Sequence, residues 1–300
     1  MPVDCKTPKR GIEVASLTDV GLQRGNNEDS FLYWEPDSDD DFGRKGCLAA
    51  VADGMGGYEG GQEASRLAVE TVRHVYDRDF DGNAQTTLVS ALQSAHEMIQ
   101  RYALDHPELQ GMGTTCTALS IIGRQLCFAH IGDSRLYLVR EETISRLTRD
   151  HSYISRLVES GIVREEDAES HPQRHILTAA LGSGRDVIPH VPEQPLSLGD
   201  GDTLLLCTDG LWGVVPEPEI ASVVRANSPR MPACGLSERQ SRAAARITSR
   251  CRFSAFARLK LHFPIFFRTQ PAPLSSLVSQ NCNSLHMAAE RPANAANVSN

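Results

Sequence analysis

Apolar residues recur at helical spacing in two stretches of the chain and at strand spacing in several others. Over 62–76, Ala64, Leu67, Ala68, Val72 and Val75 share one face at a period near 3.6, which predicts an amphipathic helix. Over 86–104, Leu88, Ala91, Leu92, Ala95, Met98, Ile99 and Tyr102 mark the buried side of a second. The period changes after Gly113. Segments 115–122, 125–131 and 135–140 are short and rich in apolar and β-branched residues, and Gly123-Arg124 and Gly132-Asp133-Ser134 read as tight turns between them. Further strands are expected at 47–52 and 202–207, and extended segments over 11–35 surround a polar turn at 24–29. The acidic run 35–41 reads as a solvated loop, 153–159 as a short helix closed by Gly161, and 216–225 as a helix with Pro218 in its first turn.

The elements are grouped, with helices together and then a run of strands. Such grouping argues against alternating βαβ units and for an α+β domain with antiparallel sheets. With 40% hydrophobic residues among 300, the chain can bury a sizeable core. No apolar run reaches the roughly 20 residues that span a bilayer, and 1–10 carries no apolar stretch like that of a secretory signal, so the expected location is the cytoplasm. The eight cysteines include no C-x-x-C pair, which disfavours zinc and redox roles and leaves them as buried thiols.

Charge is unevenly spread. Residues 226–300 hold ten Arg or Lys and two acids, whereas 1–225 hold 36 acids and 20 bases. An acidic body is not a nucleic-acid surface.

Candidate chemistry lies in the carboxylates. Two apolar strands run into Asp-Gly, at Val51-Ala52-Asp53-Gly54 and Cys207-Thr208-Asp209-Gly210; Asp133 sits in a turn, and Glu28 and Asp29 form an early acidic pair. Asp-Gly after a strand is a common turn signature, so each alone is weak. Several carboxylates converging on one edge of a core repel one another unless a cation neutralises them, and hard oxygen donors suit magnesium or manganese. Arg24, four positions before Glu28, either holds a phosphate beside such a cluster or lies on the surface. A Walker loop and a G-x-S-x-G elbow are both missing. His130, His151, His171 and His175 are scattered, and His151 fits a substrate contact and a structural role equally.

Six segments in order resemble the motifs of type 2C, or PPM-type, metal-dependent serine/threonine protein phosphatases, in their bacterial branch. They are Thr18 to Ser30 around Arg24-Gly25-Asn26-Asn27-Glu28-Asp29, Val51-Ala52-Asp53-Gly54-Met55-Gly56-Gly57, Gly113-Thr114-Thr115, Gly132-Asp133-Ser134-Arg135, Leu147-Thr148-Arg149-Asp150-His151-Ser152 and Leu205 to Leu211. The resemblance covers about 11–225. It implies a four-layer sandwich, two antiparallel β-sheets flanked by helices, that hydrolyses phosphoserine and phosphothreonine in phosphoproteins phosphorylated by kinases. It implies two Mn2+ or Mg2+ ions per site, with Asp53 bridging them, the Gly54 carbonyl on one and Asp209 on the other. It also implies a third, looser ion at Asp133 together with Asp209, a role for Glu28 through metal-bound water, a nucleophilic water oriented by Asp29, and a phosphate clamp at Arg24. Segment 150–185 corresponds to a flap beside the site. A monomer acting in signal transduction, without nucleic acid or a membrane span, is the expected form.

The pattern breaks near its end. The family carries a further metal-binding aspartate in Asp-Asn-Ile-Thr some 35–40 residues beyond the position of Asp209, and this chain has no aspartate after Asp209. Residues 246–250, Arg-Ile-Thr-Ser-Arg, can be encoded CGG ATA ACA TCA CGG, which from its third base reads Asp-Asn-Ile-Thr. The expectation is therefore a frameshift around 226–240. It would leave a C-terminally incomplete domain over 11–225 with its last strands missing, a disordered basic tail over 226–300, and a polar tail over 1–10. A basic tail lying on an acidic membrane surface is the rival reading of 253–267, and a non-catalytic pseudophosphatase or phosphoprotein-binding module is the rival reading of the domain.

Overall fold

Strand β4 (Cys47–Met55) explains most of the architecture, because its residues are buried on both faces from Cys47 to Ala52. Cys47, Ala49 and Val51 point into the space between two sheets, while Leu48, Ala50 and Ala52 point at a pair of helices. A strand in that position reads as an unbroken apolar run rather than an alternation. The structure, a computed structural model, describes residues 4–9, 11–19, 27–168, 171–184, 186–226 and 254–261.

The described strands are β1 (Asp4–Lys9), β2 (Ile12–Asp19), β3 (Asp29–Trp34), β4, β5 (Gly113–Thr114), β6 (Cys116–Ile122), β7 (Gln125–Ile131), β8 (Arg135–Arg140), β9 (Thr143–Arg146), β10 (Leu196–Ser197), β11 (Thr203–Cys207) and β12 (Ser254–Leu261). One sheet has the order β1-β2-β12-β11-β8-β9 and the other β10-β7-β6-β4-β3, with β5 beside β4. All the pairings are antiparallel. The helices are α1 (Asp39–Lys45), α2 (Tyr58–Arg78), α3 (Ala84–Asp105), α4 (Tyr153–Glu159), α5 (Glu165–Ala168), α6 (Asp209–Trp212) and α7 (Glu217–Ala226). Helices α2 and α3 cover the outer face of the second sheet through Ala68, Val72, Leu88, Leu92 and Ile99. Helices α6 and α7, with Val215 between them, cover the first sheet through Leu211, Ile220 and Val224. The expected α+β four-layer sandwich is the observed one.

Five expectations are corrected. Residues 4–9 pair with β2 and form an edge strand, where a polar tail was expected. Within 226–300, expected to stand outside the domain, residues 254–261 fill the slot between β2 and β11, and Leu259 and Leu261 are fully buried between the sheets. Alternation in Ala255, Ala257, Leu259 and Leu261 was the available signal, obscured by the basic composition around it. The turn 132–134 is no hairpin, since β7 and β8 belong to different sheets and this segment crosses between them. The acidic run expected as a loop starts α1 at Asp39, because Ser38 Oγ accepts from the Asp41 amide at 3.0 Å and Asp39, Asp40 and Asp41 sit at the positive end of the helix dipole. On α3, Met98 is 40% exposed, whereas His96 is buried, its Nδ1 accepting from the Gly182 amide at 3.1 Å. Among the described residues no helix is long and apolar enough to cross a membrane.

Candidate active site

Strand β4 delivers Asp53 to the end of the sandwich. Its apolar run stops at Ala52, and Asp53 stands directly opposite Asp29 of β3. The backbone there is held on both sides: the Asp53 amide donates to Thr115 Oγ1 at 2.9 Å, and the Asp53 carbonyl accepts from the Thr114 hydroxyl and the Thr115 amide, both at 2.9 Å. Gly54 follows, its amide donating to the Glu28 carbonyl at 3.0 Å. A Cβ on Gly54 would lie 1.9 Å from the Gly61 carbonyl oxygen and 2.8 Å from that of Glu28, both backbone atoms that cannot swing away. The expected result for Gly54→Ala is thus a chain that loses at least about 1–3 kcal/mol of stability, an overpacked-core cost, measurable as a lowered urea midpoint.

Asp209 arrives from the other sheet. Strand β11 ends at Cys207, Thr208 caps the short helix α6, and Asp209 is that helix's first residue. The Thr208 hydroxyl donates to Asp29 Oδ2 at 3.0 Å and so joins the end of one sheet to the end of the other. Asp133 lies on the crossing between β7 and β8 and is 6% exposed. Carboxylates from strands far apart in sequence therefore meet where both sheets end.

The electrostatics record that convergence. Burial, and then the charges of Asp29, Asp209 and Asp133, raise the Asp53 carboxyl well above its ordinary range, and Asp209 shares a hydrogen bond with it. Burial, then Asp209 and Asp150, push Asp133 up to about 8, although Arg135 and its own backbone amide act in the opposite sense. Among the described residues no three acidic, histidine or cysteine side chains are already set to hold one metal ion, so the site is a convergence of carboxylates rather than a finished cage. The donor chemistry fits a hard divalent cation nonetheless. Burial and neighbouring carboxylates raise Asp53 and Asp133, and a cation placed among them would offset that repulsion.

Of the residues singled out in the sequence, Asp29, Asp53, Asp133 and Asp209 come together. Gly54 and the buried Glu28 are adjoined through the backbone. Arg24 lies outside the described residues. The sequence alone assigns no role to Thr208 and Thr115, whose hydroxyls position Asp29 and Asp53, or to His175, whose Nδ1 is 3.8 Å from Asp209 Oδ2. Both threonines sit inside the motifs, at Gly113-Thr114-Thr115 and Thr208-Asp209-Gly210, and that placement was the only signal they gave. A cavity of about 900 Å3 opens beside α6, lined by Arg146, Arg149, Ser152, Arg174, Trp212 and Glu217 among others; none of the four aspartates lines it.

This class of fold, two stacked antiparallel sheets flanked by helices, is shared with known proteins. The family model described as protein phosphatase 2C matches residues 24–239. The serine/threonine protein phosphatase PstP of Mycobacterium tuberculosis is 36% identical over 214 residues, 71% of this chain and 39% of its own length. Protein phosphatase PhpP of Streptococcus pneumoniae is 35% identical over 222 residues, 73% of this chain and 86% of its own. The crystal structure of the PstP catalytic domain in complex with two manganese ions superposes with a TM-score of 0.66 at 29% identity, covering 84% of this chain and 99% of that one. The chain thus spans about two fifths of the length of the mycobacterial relative and most of the streptococcal one. It belongs to the protein phosphatase 2C family.

Proposed function

We propose that this chain hydrolyses phosphoserine and phosphothreonine in proteins with the help of two divalent cations, Mn2+ or Mg2+, and binds a third more loosely. The observation that carries the reading is the meeting of Asp53 and Asp209, from opposite sheets, on a family fold. When bound, such cations lower the pKa of water and offset charge on the phosphoryl oxygens. Asp53 would bridge the two, the Gly54 carbonyl and Asp209 would each hold one, and Asp133 with Asp209 would hold the third. Asp29, fixed by the Thr208 hydroxyl, would orient the attacking water, and Glu28 would act through metal-bound water. Arg24 would clamp the phosphate, and the cavity beside α6 would take neighbouring residues of a phosphoprotein substrate. Cys47, Cys116, Cys127 and Cys207 are buried thiols, which suits a reducing cytoplasm.

The test is turnover of p-nitrophenyl phosphate and of a phosphothreonine peptide by the full chain. Activity is expected with millimolar manganese and is expected to vanish in EDTA. Equal turnover in EDTA refutes the reading.

A second reading rests on the lack of any aspartate after Asp209, which takes away a family metal ligand and favours a phosphoprotein-binding module without catalysis. Calorimetric titration with manganese, with and without the phosphopeptide, separates the two: the enzyme binds the metal, the module the peptide alone. The frameshift remains our account of the altered sequence beyond 226. The coding DNA decides it, since the shifted frame at codon 246 must spell Asp-Asn-Ile-Thr.

A further inference from the structure

The residues flanking Asp133 are each held by hydrogen bonds from elsewhere in the fold. Gly132 is held by His151: its amide donates to His151 Nδ1 at 3.1 Å, and its carbonyl accepts from the His151 amide at 2.7 Å. Ser134 is held by two threonines, its Oγ lying 2.7 Å from Thr115 Oγ1 and its carbonyl accepting from the Thr117 hydroxyl at 3.1 Å. Arg135 is held by Asp150, with Nη2 at 2.7 Å from Oδ2 and Nε at 3.2 Å from both carboxylate oxygens, in a pair whose side chains are 7% and 8% exposed. Two of the three clamps therefore come from the single dipeptide Asp150-His151.

The same dipeptide is the root of the flap. The His151 carbonyl accepts from the Thr178 amide at 2.8 Å, Ser152 bridges to Leu177, and the Tyr153 amide donates to the Ile176 carbonyl at 2.7 Å. His151 is thus tied by its side chain and its amide to the turn beside Asp133, and by its carbonyl to Thr178 near the far end of segment 150–185. Its ring also stacks on buried His130, with centroids 5.1 Å apart and planes at 27°. Its Nδ1 is occupied as an acceptor, which leaves the proton on Nε2.

We propose that His151 is a positioning residue: through Nδ1 it fixes the Gly132 amide, and so the Asp133 carboxylate, in register with the base of the flap for binding of the loosest cation. The inference rests on the metal-site reading given above for Asp133. It assigns His151 no contact with the phosphate and no proton transfer. Outer partners of this kind set metal affinity by orienting the group that binds.

Two substitutions separate the hydrogen bond from the ring. In H151N an amide oxygen stands near the place of Nδ1 and can still accept from Gly132, but the ring is gone. In H151F the ring is kept and the acceptor is lost. Mn2+ binding to the full chain is followed by the electron paramagnetic resonance signal of free Mn2+, and amide exchange over 131–135 is followed by mass spectrometry in EDTA. The expected result for H151F is weaker binding of the last Mn2+ equivalent by about tenfold and faster exchange over 131–135. The expected result for H151N is wild-type behaviour on both counts. The reverse pattern, with H151F normal and H151N impaired, overturns the proposal in favour of ring packing, and so does an unchanged affinity in both. If H151F does not fold, H151A takes its place as the variant lacking the acceptor. A wild-type chain that binds no Mn2+ at all refutes the metal-site reading itself, and this inference falls with it.

Discussion

Asp53→Asn is expected to lower turnover of p-nitrophenyl phosphate at saturating manganese by about a thousandfold or more, the scale on which removal of a principal electrostatic contact acts. The fold should survive, because the change is nearly isosteric and removes a charge from a crowded place. Asp53 lies opposite Asp29 and within reach of Asp209 and Asp133, and its carboxyl is raised by them as well as by burial. The asparagine variant is therefore expected to melt in EDTA at a temperature no lower than the wild type. That combination, activity lost and stability kept, is the signature of carboxylates assembled for a ligand rather than for the fold. A variant retaining activity within tenfold of wild type would show that Asp53 does not hold the reacting metal centre.

Truncation after residue 253 is expected to abolish folding. Strand β12 pairs with β2 from Ser254 to Leu261 on one side and with β11 from Phe256 to Lys260 on the other, so its loss opens the middle of a sheet. Leu259 and Leu261 are fully buried in the layer between the sheets. Each Leu→Ala change there should cost about 2–5 kcal/mol, against a total stability of about 5–15 kcal/mol for an ordinary domain. The double change L259A/L261A is thus expected to leave little folded protein at 37 °C, as read by urea denaturation. A chain ending at 253 that melts cooperatively at the wild-type temperature would show instead that the slot between β2 and β11 closes without β12.

Much of this was legible beforehand where one physical signal dominated. Gln125–Ile131 and Arg135–Arg140 were bounded correctly because turn residues flank unbroken apolar runs, and Tyr153–Glu159 because Ser152 caps it and Gly161 ends it. The carboxylates stood out in the sequence as Asp53 and Asp209 after apolar strands, Asp133 in a turn and Asp29 in an early acidic pair. What the sequence hid was relational. Nothing local shows that β7 and β8 part into different sheets, a long-range choice made by their neighbours β6 and β11. Nothing local distinguishes Thr208 as the donor to Asp29, since that bond joins positions far apart in the chain. The strand at 254–261 was hidden for a different reason. Its apolar positions alternate as a strand's should, but they lie within a stretch whose arginines, prolines and missing acids point elsewhere.

The placement of β12 has a consequence during synthesis. Ile12, near the start of the chain, pairs with Leu261, so β2 must wait for about 240 further residues before its inner edge is covered. Contacts of such sequence separation slow folding, and a strand edge left open meanwhile can pair with other nascent chains. Emergence of residue 261 from the ribosome, rather than completion of the helices that cover the sheets, then sets the moment at which the sandwich closes. Chaperone dependence should concentrate in that interval.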